Sequence, residues 1–259
     1  MPAQTIDVLP RLNIVVPYRD REAHMREFLP HMRAYFARDK QDRNIPYRVT
    51  IVEQEKGLPF NRGALKNIGF LLAEADYTCF HDIDYLPLWA DYSWTDRPTG
   101  IVWFGAETRP VAPGRSPVRV GHDMNIFFGG ALLVPNDLFR QVNGYSNDYW
   151  GWGYEDMDLM RRCVAAQIPY ARRKGTFIAL DHDAEGYDLT GALTPGAKSN
   201  EALMLAKWTS GAPNAHEGLS SLSYEVLARE ELPDPAPERA ATYEKVLVRL
   251  KPAPGATSS

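Results

Sequence analysis

With 259 residues, 44% of them hydrophobic and 24% charged, the chain can bury a full core as one large domain or as a domain with an appendage. A formal net charge of −4 and the lack of any Lys/Arg-rich block argue against a nucleic-acid partner. No run approaches the ~18 apolar residues of a membrane span, and the N-terminus lacks the basic and apolar regions of a signal peptide. Two cysteines, Cys79 and Cys163, are too few for a disulfide framework and lack zinc-ligand spacing, so they read as buried thiols of a cytoplasmic protein.

In chain order, RLNIVVPY (11–18) is a short β-branched run. It is followed by a stretch in which Met25, Phe28, Leu29, Met32 and Phe36 recur at helical spacing. YRVTIVEQE (47–55) is a second strand, NRGALKNIGFLLAEA (61–75) a second helix and YTCFHDID (77–84) a third strand. This βαβαβ opening predicts a parallel sheet whose ligands gather at the carboxyl ends of the strands. Residues 88–122 carry Trp, Pro, Gly and Arg without periodicity, as a loop region over a site does. MNIFFGGALLVP reads as a strand carrying a Gly-Gly, PNDLFRQVNG as a short helix closed by Gly144, and EDMDLMRRCVAAQ as a longer helix. TFIALDHD (176–183) is the last expected strand. After it come a loop, a helix near EALMLAKW, and ELPDPAPE (231–238) as a linker to a final helix, ATYEKVLVRL.

FHDIDYLP (80–87) sets Asp82 and Asp84 two apart at the end of an apolar run. Tyr85-Leu86-Pro87 suggests that the strand has ended by this pair, so that both carboxylates can lie at the mouth of one cleft. Two carboxylates suit a hard cation such as Mg²⁺ or Mn²⁺ that keeps positions open for phosphate oxygens; taken alone, the pair reads sooner as one aspartate capping a turn and one in solvent. YWGWGYEDMDLMRR (149–162) adds a second cluster. Trp150 and Trp152 supply flat faces for sugar rings, and the interleaved glycines permit unusual backbone angles. Glu155 and Asp156 then open a helix whose positive end is expected to keep both ionised, so that one can accept a proton from an alcohol. Asp158 reads as an ordinary helical partner of Arg161 or Arg162. His182, at the end of a strand, is a candidate nitrogen ligand, though a lone histidine is as readily structural.

These residues resemble the β-1,4-galactosyltransferases, inverting enzymes of the GT-A fold that use a nucleotide sugar and Mn²⁺. Blocks matching in order are VVPYRDRE (15–22), PFNRGALKNIGF (59–70), FHDIDYLP, the run from FFGGALLVP through YWGWGYEDMDLMRR (127–162), and the segment ending in His182. The resemblance implies a single α/β domain of GT-A type, a Rossmann-like mixed sheet flanked by helices. It places that domain at 1–228, with a nucleotide-sugar half at 11–87, an acceptor half at 123–228, and a Pro-rich linker and helical tail at 229–259. It further implies that Pro17, Tyr18, Arg19, Arg21, Phe60 and Arg62 hold UDP and that Asp84 and His182 ligate Mn²⁺ or Mg²⁺, with Asp82 in support. Trp152 would belong to a closing loop, Glu155 would lie beside the acceptor, and Asp156 would be the catalytic base. Phe127, Gly129, Gly130, Trp150, Gly153 and Met157 would complete the donor and acceptor pocket.

Three positions depart from the family pattern. Met157 stands where vertebrate members carry a carboxylate that holds the acceptor. Phe127 replaces a tyrosine that restricts the donor's 2-substituent, which could admit N-acetylgalactosamine beside galactose. Ala179 replaces a methionine near the metal. The family's membrane anchor is absent, which fits a cytoplasmic, bacterial-type enzyme with a glycan or glycolipid acceptor, able to lie at the inner membrane face and acting in surface-polysaccharide synthesis. Two other readings compete with this one: a non-catalytic carbohydrate-binding module, which has no need of Arg19, Arg62 and Asp84, and a nucleotidyltransferase, which would carry a Gly-rich loop that VVPYRDRE lacks.

Overall fold

The strand β1 (Leu12–Tyr18) is buried at every residue, as a central strand covered on both faces must be. The computed structural model describes residues 9–39, 44–102, 115–116, 128–180, 186–188, 190–209, 217–233 and 241–251. β1 lies between β2 (Tyr47–Gln54) and β3 (Tyr77–His81), parallel to both. The helices α1 (Glu22–Asp39) and α2 (Arg62–Leu71) make the two crossovers, as the βαβαβ reading expects. Side chains alternate along the strands: Leu12, Ile14 and Val16 pack with Phe28, Met32, Tyr35 and Phe36 of α1. Val15 packs on the other face with Ala64, Leu65 and Ile68 of α2.

The sheet continues through β7 (Ala131–Pro135), antiparallel to β3, to β5 (Thr99–Gly100) and β8 (Ala171–Arg172). α3 (Asn136–Gln141) and α4 (Glu155–Ala165) close over the α2 face, burying Phe139, Leu159 and Cys163. A second, three-stranded sheet pairs β4 (Tyr85–Ala90) with β9 (Gly175–Leu180) and β9 with β6 (Arg115–Ser116). α5 (Pro195–Thr209) packs beside α4. The result is a single α/β domain with a mixed sheet flanked by helices.

The close seat of α2 on β1 has a specific cause. A Cβ on Gly69 would collide with Val15, so only glycine permits this approach. The buried Asn13 amide donates to the Gly69 carbonyl at 3.1 Å and its oxygen accepts from the buried Thr50 hydroxyl at 3.0 Å, which gives both polar side chains a partner.

The C-terminal expectation is overturned. ATYEKVLVRL is β11 (Thr242–Leu250), parallel to β2, and β10 (Tyr224–Glu231) completes the edge antiparallel to it, giving the order β10-β11-β2-β1-β3-β7-β5-β8. Val246, Val248 and Leu250 alternate into the α2-side core, and Tyr243 fills the other face, where its hydroxyl meets that of Tyr47 at 2.5 Å. Period two outweighs the helix-favouring Glu, Lys, Leu and Arg because the β2 edge supplies a pairing partner. TFIALDHD is therefore not the last strand, and the boundary drawn after residue 228 cuts β10. Smaller differences concern the Gly-Gly pair, which precedes β7, and YTCFHDID, in which the strand stops at His81.

Candidate active site

A cleft of about 950 Å³ opens at the carboxyl ends of β1 and β3 and is floored by the first turns of α2 and α4. Pro17, Arg19 and Arg21 enter it from the end of β1, Phe60 and Arg62 from the start of α2, Asp82 and Asp84 from the turn after β3. Gly129, Trp152, Gly153, Glu155, Asp156 and Met157 form the facing wall. Strand alternation explains one exclusion: Tyr18 points to the α1 core and is 4% exposed, so it is no part of the cleft. Trp150 packs against the α2-side core and Gly130 lies behind the lining. Phe127 and His182 lie outside the described residues.

The start of α2 is built by its own sequence. Asn61 caps the helix through Ala64 N–H at 2.9 Å, and its side-chain amide donates to the Asn147 carbonyl at 2.7 Å. Asn67, one and a half turns on, donates to the Tyr145 carbonyl and to Asn147 Oδ1. The segment NGYSND is thus moored to α2 by buried amides, which sets the place from which the tryptophan-glycine run begins. On the nucleotide side, Arg19 donates to the Leu58 carbonyl at 2.7 Å and its guanidinium stacks 5.1 Å from the Phe60 ring centroid, making a flat cation-aromatic wall.

The turn after β3 brings both aspartates to one cleft because regular strand geometry ends at His81. Asp82 N–H donates to the Gly130 carbonyl at 2.8 Å and Leu180 N–H to the Asp84 carbonyl at 2.7 Å. His81 is fully buried between the Asp82 carbonyl and the Tyr92 hydroxyl, and burial pushes its pKa down to about 4, so it stays neutral.

Charge in the floor is balanced by two cations that the motifs did not both announce. Glu155 is 3% exposed, and its carboxylate faces Arg62 Nε at 3.2 Å and Lys66 Nζ at 3.4 Å. Burial opposes its ionisation, but Arg62 and Lys66 hold the carboxyl below its ordinary range. It is therefore a paired counterion in the floor of the cleft. Burial also works against charge on Arg62, yet Glu155, Asp82, Asp156 and Asp84 together keep it firmly protonated. Asp156 departs from the helix-dipole expectation: burial and the neighbouring Glu155 push it up to about 6, against the pull of Lys66, Arg62 and the Met157 N–H, which donates to its Oδ1 at 2.8 Å. Desolvation and the like charge outweigh the dipole. Asp158 forms the expected i,i+4 pair with Arg162, at 2.7 Å.

The donor set fits a hard divalent cation. Asp82 and Asp84 offer oxygens to one cleft, and burial raises the Asp82 pKa against the pull of Lys66 and Arg62. Among the described residues no three His, Cys, Asp or Glu side chains gather into a ready ligand group. β9, the strand that leads to His182, ends beside Asp84.

Several lining residues escaped sequence reasoning. Lys66 is one, and its one-turn spacing from Arg62 was the available signal. Asp20, Tyr154, Tyr187, Thr194, Gly196 and Ala197 also line the cleft. Tyr187 meets Trp152 edge-on with centroids 5.3 Å apart, a contact no local pattern reveals.

The profile described as the N-terminal region of glycosyl transferase group 7 matches residues 3–94, and that described as the N-terminal domain of galactosyltransferase matches 109–183. Mouse β-1,4-galactosyltransferase 4 is 30% identical over 232 residues, which cover 87% of this chain and 61% of that protein. Human β-1,4-galactosyltransferase 7 is 34% identical over 169 residues, 64% of this chain and 47% of that one. The chain thus spans less than two thirds of the length of these relatives. The catalytic domain of Drosophila β1,4-galactosyltransferase 7, solved in complex with xylobiose, superposes with a TM-score of 0.70 at 25% identity, covering 95% of this chain and 96% of that one. A mutant of that enzyme, solved with manganese, UDP-Gal and xylobiose, gives 0.69 at 26% identity. No helix among the described residues is long and apolar enough to cross a membrane. Two matching profiles that tile most of the chain, the relatives and the shared GT-A architecture all agree: the chain belongs to glycosyltransferase family 7, the family of the β-1,4-galactosyltransferases.

Proposed function

We propose that the protein is an inverting hexosyltransferase that moves galactose, or N-acetylgalactosamine, from a UDP-sugar to a hydroxyl of a glycan or glycolipid. The observation that carries this reading is the convergence of three functions on one cleft: the Arg19–Phe60 wall, the Asp82/Asp84 turn and the Asp156 carboxylate. The relatives' galactosyl transfer and the manganese and UDP-Gal bound by the Drosophila enzyme support the same assignment.

In this reading Phe60 and the Arg19 guanidinium hold the nucleotide, while Arg62 and Arg21 offer positive charge to the diphosphate. Asp84, with Asp82 in support and His182 as second ligand, would hold Mn²⁺ or Mg²⁺, which would supply positive charge for the departing diphosphate. Asp156 takes the proton from the acceptor hydroxyl as that oxygen attacks the anomeric carbon from the face opposite UDP. One displacement inverts the centre, so an α-linked donor gives a β-linked product. Glu155, fixed by Arg62 and Lys66, anchors the first turn of α4 and so aims Asp156. Trp152 covers the sugar and Met157 offers the acceptor an apolar contact.

The test is UDP release from a panel of UDP-sugars with and without Mn²⁺, using free N-acetylglucosamine, glucose and xylobiose as acceptors. Selective Mn²⁺-dependent turnover of UDP-galactose or UDP-N-acetylgalactosamine is the expected result. Absence of both turnover and UDP binding would overturn the assignment.

A further inference from the structure

The run from Trp150 to Tyr154 has an unusual backbone. Gly151, Gly153 and Tyr154 all adopt positive φ, at 81°, 90° and 75°. A Cβ on Gly151 or Gly153 would meet nothing within 4 Å, so these glycines serve the backbone angle and not a close approach. The carbonyls of Trp150, Trp152 and Gly153 all face α5, and a carbonyl away from water needs a donor.

One side chain supplies it. The Asn200 amide nitrogen lies 3.0 Å from the Trp150 carbonyl, 3.0 Å from that of Trp152 and 3.3 Å from that of Gly153. With three acceptors around it, the amide can only present its NH₂ group, whose two hydrogens serve the three oxygens with one shared. Asn200 is 5% exposed and is the polar member of the buried stripe Ala197, Asn200, Met204 on α5. A buried amide at that position is unfavourable unless its hydrogen bonds are made, and here its donors are turned to one loop.

The loop is braced on two further sides. Gly151 N–H donates to the Phe60 carbonyl at 2.6 Å, which ties it to the nucleotide wall. The Trp152 ring packs so closely on Gly186 that a Cβ there would collide with it, and Gly186 accepts from Thr194 N–H at 3.0 Å, just before α5 begins. At the far end of α5, Lys207 reaches Asp148 and Ser146 at 3.1 and 3.0 Å.

We propose that Asn200 is a positioning residue: by donating to three inward carbonyls of the tryptophan-glycine run, it sets Trp152 over the cleft and shapes the acceptor side of the site. This rests on the transferase reading above, and the two fail in distinguishable ways. The nucleotide contacts, from β1 and α2, are untouched by Asn200.

The test compares the full-length parent with Asn200→Asp, which keeps the shape but replaces the donor with an acceptor, and Asn200→Ala, which leaves room for a donating water. UDP dissociation constant, hydrogen exchange of the 150–154 amides, and kcat and KM for a panel acceptor are measured. Asn200→Asp is expected to raise acceptor KM tenfold or more and to speed exchange in 150–154 at least tenfold, with UDP affinity within twofold of the parent. Asn200→Ala is expected to fall between, and it carries the test if the aspartate variant does not fold. Parental exchange and parental KM in the folded variants overturn the proposal, as does a loss of UDP affinity in step with acceptor KM, which is what a merely structural asparagine produces. A parent with no transfer overturns the transferase reading alone, while exchange and UDP binding still decide the clamp.

Discussion

Replacing Asp156 with asparagine should make the protein inactive and more stable at once. The folded-state carboxyl titrates near 6 against an ordinary 3.8, a shift of about 2 units, and each unit is worth about 1.4 kcal/mol. Because the folded pKa lies above the unfolded one, the folded state binds more protons between these values, and stability falls as pH rises through that window. The penalty is complete above about pH 6, where it amounts to about 3 kcal/mol, and solvent screening in an open cleft reduces that to about 2 kcal/mol. Asparagine carries no charge to desolvate and its Oδ1 can still accept from Met157 N–H. In metal-free buffer at pH 7.5 the variant should therefore melt roughly 4–8 °C above the parent. At pH 5, about half of the difference should remain. Thermal melts at the two pH values, paired with UDP-galactose turnover, check both halves. A variant that melts at or below the parent at pH 7.5 refutes the electrostatic argument; one that retains transfer refutes the assignment of the base.

Other consequences follow from the same geometry. The parent's kcat should show an acid limb with an apparent pKa near 6, activity rising with pH as Asp156 ionises, and a flat profile from pH 5 to 8 would speak against it. Lys66→Met leaves Glu155 with Arg62 alone and removes a cation that favours ionised Asp156, so the acid limb should move to higher pH and stability should fall by about 3 kcal/mol, read by denaturant titration. Asp84→Asn should abolish Mn²⁺-dependent enhancement of UDP binding in calorimetry while leaving the metal-free affinity near parental. Gly69→Val drives a branched side chain into Val15 and should cost at least about 2 kcal/mol, visible as a lower melting temperature. Truncation after residue 228 removes β11 and uncovers the β2 edge, so an insoluble product is expected; a stable, monomeric, folded fragment would contradict the role given to that strand.

What the sequence by itself determined is local or periodic. The β-branched run 11–18, the helical recurrence through Met25 to Phe36 and the capped NRGALKNIGF segment each carry their own pattern, and the parallel opening follows from their order. Asp82, Asp84 and Asp156 were legible as carboxylates at the ends of elements, where chemistry-bearing residues depart from the core pattern, whereas Arg19, Phe60 and Arg62 were marked only by the resemblance to the family. Tertiary structure alone decided the rest. ATYEKVLVRL is a strand only because the β2 edge, some 190 residues earlier in the chain, offers hydrogen bonds at that register. Glu155 became a buried counterion because α2 brings Arg62 and Lys66 against it, and Asp156 was pushed up in pKa by burial beside that same carboxylate, neither of which spacing along α4 can encode. Asn200 looked like one polar residue among many in α5 until three carbonyls from a distant loop turned out to face it. Charge, burial and hydrogen-bond satisfaction depend on what the fold places within a few ångströms, so they are properties of the assembled molecule and not of any one segment.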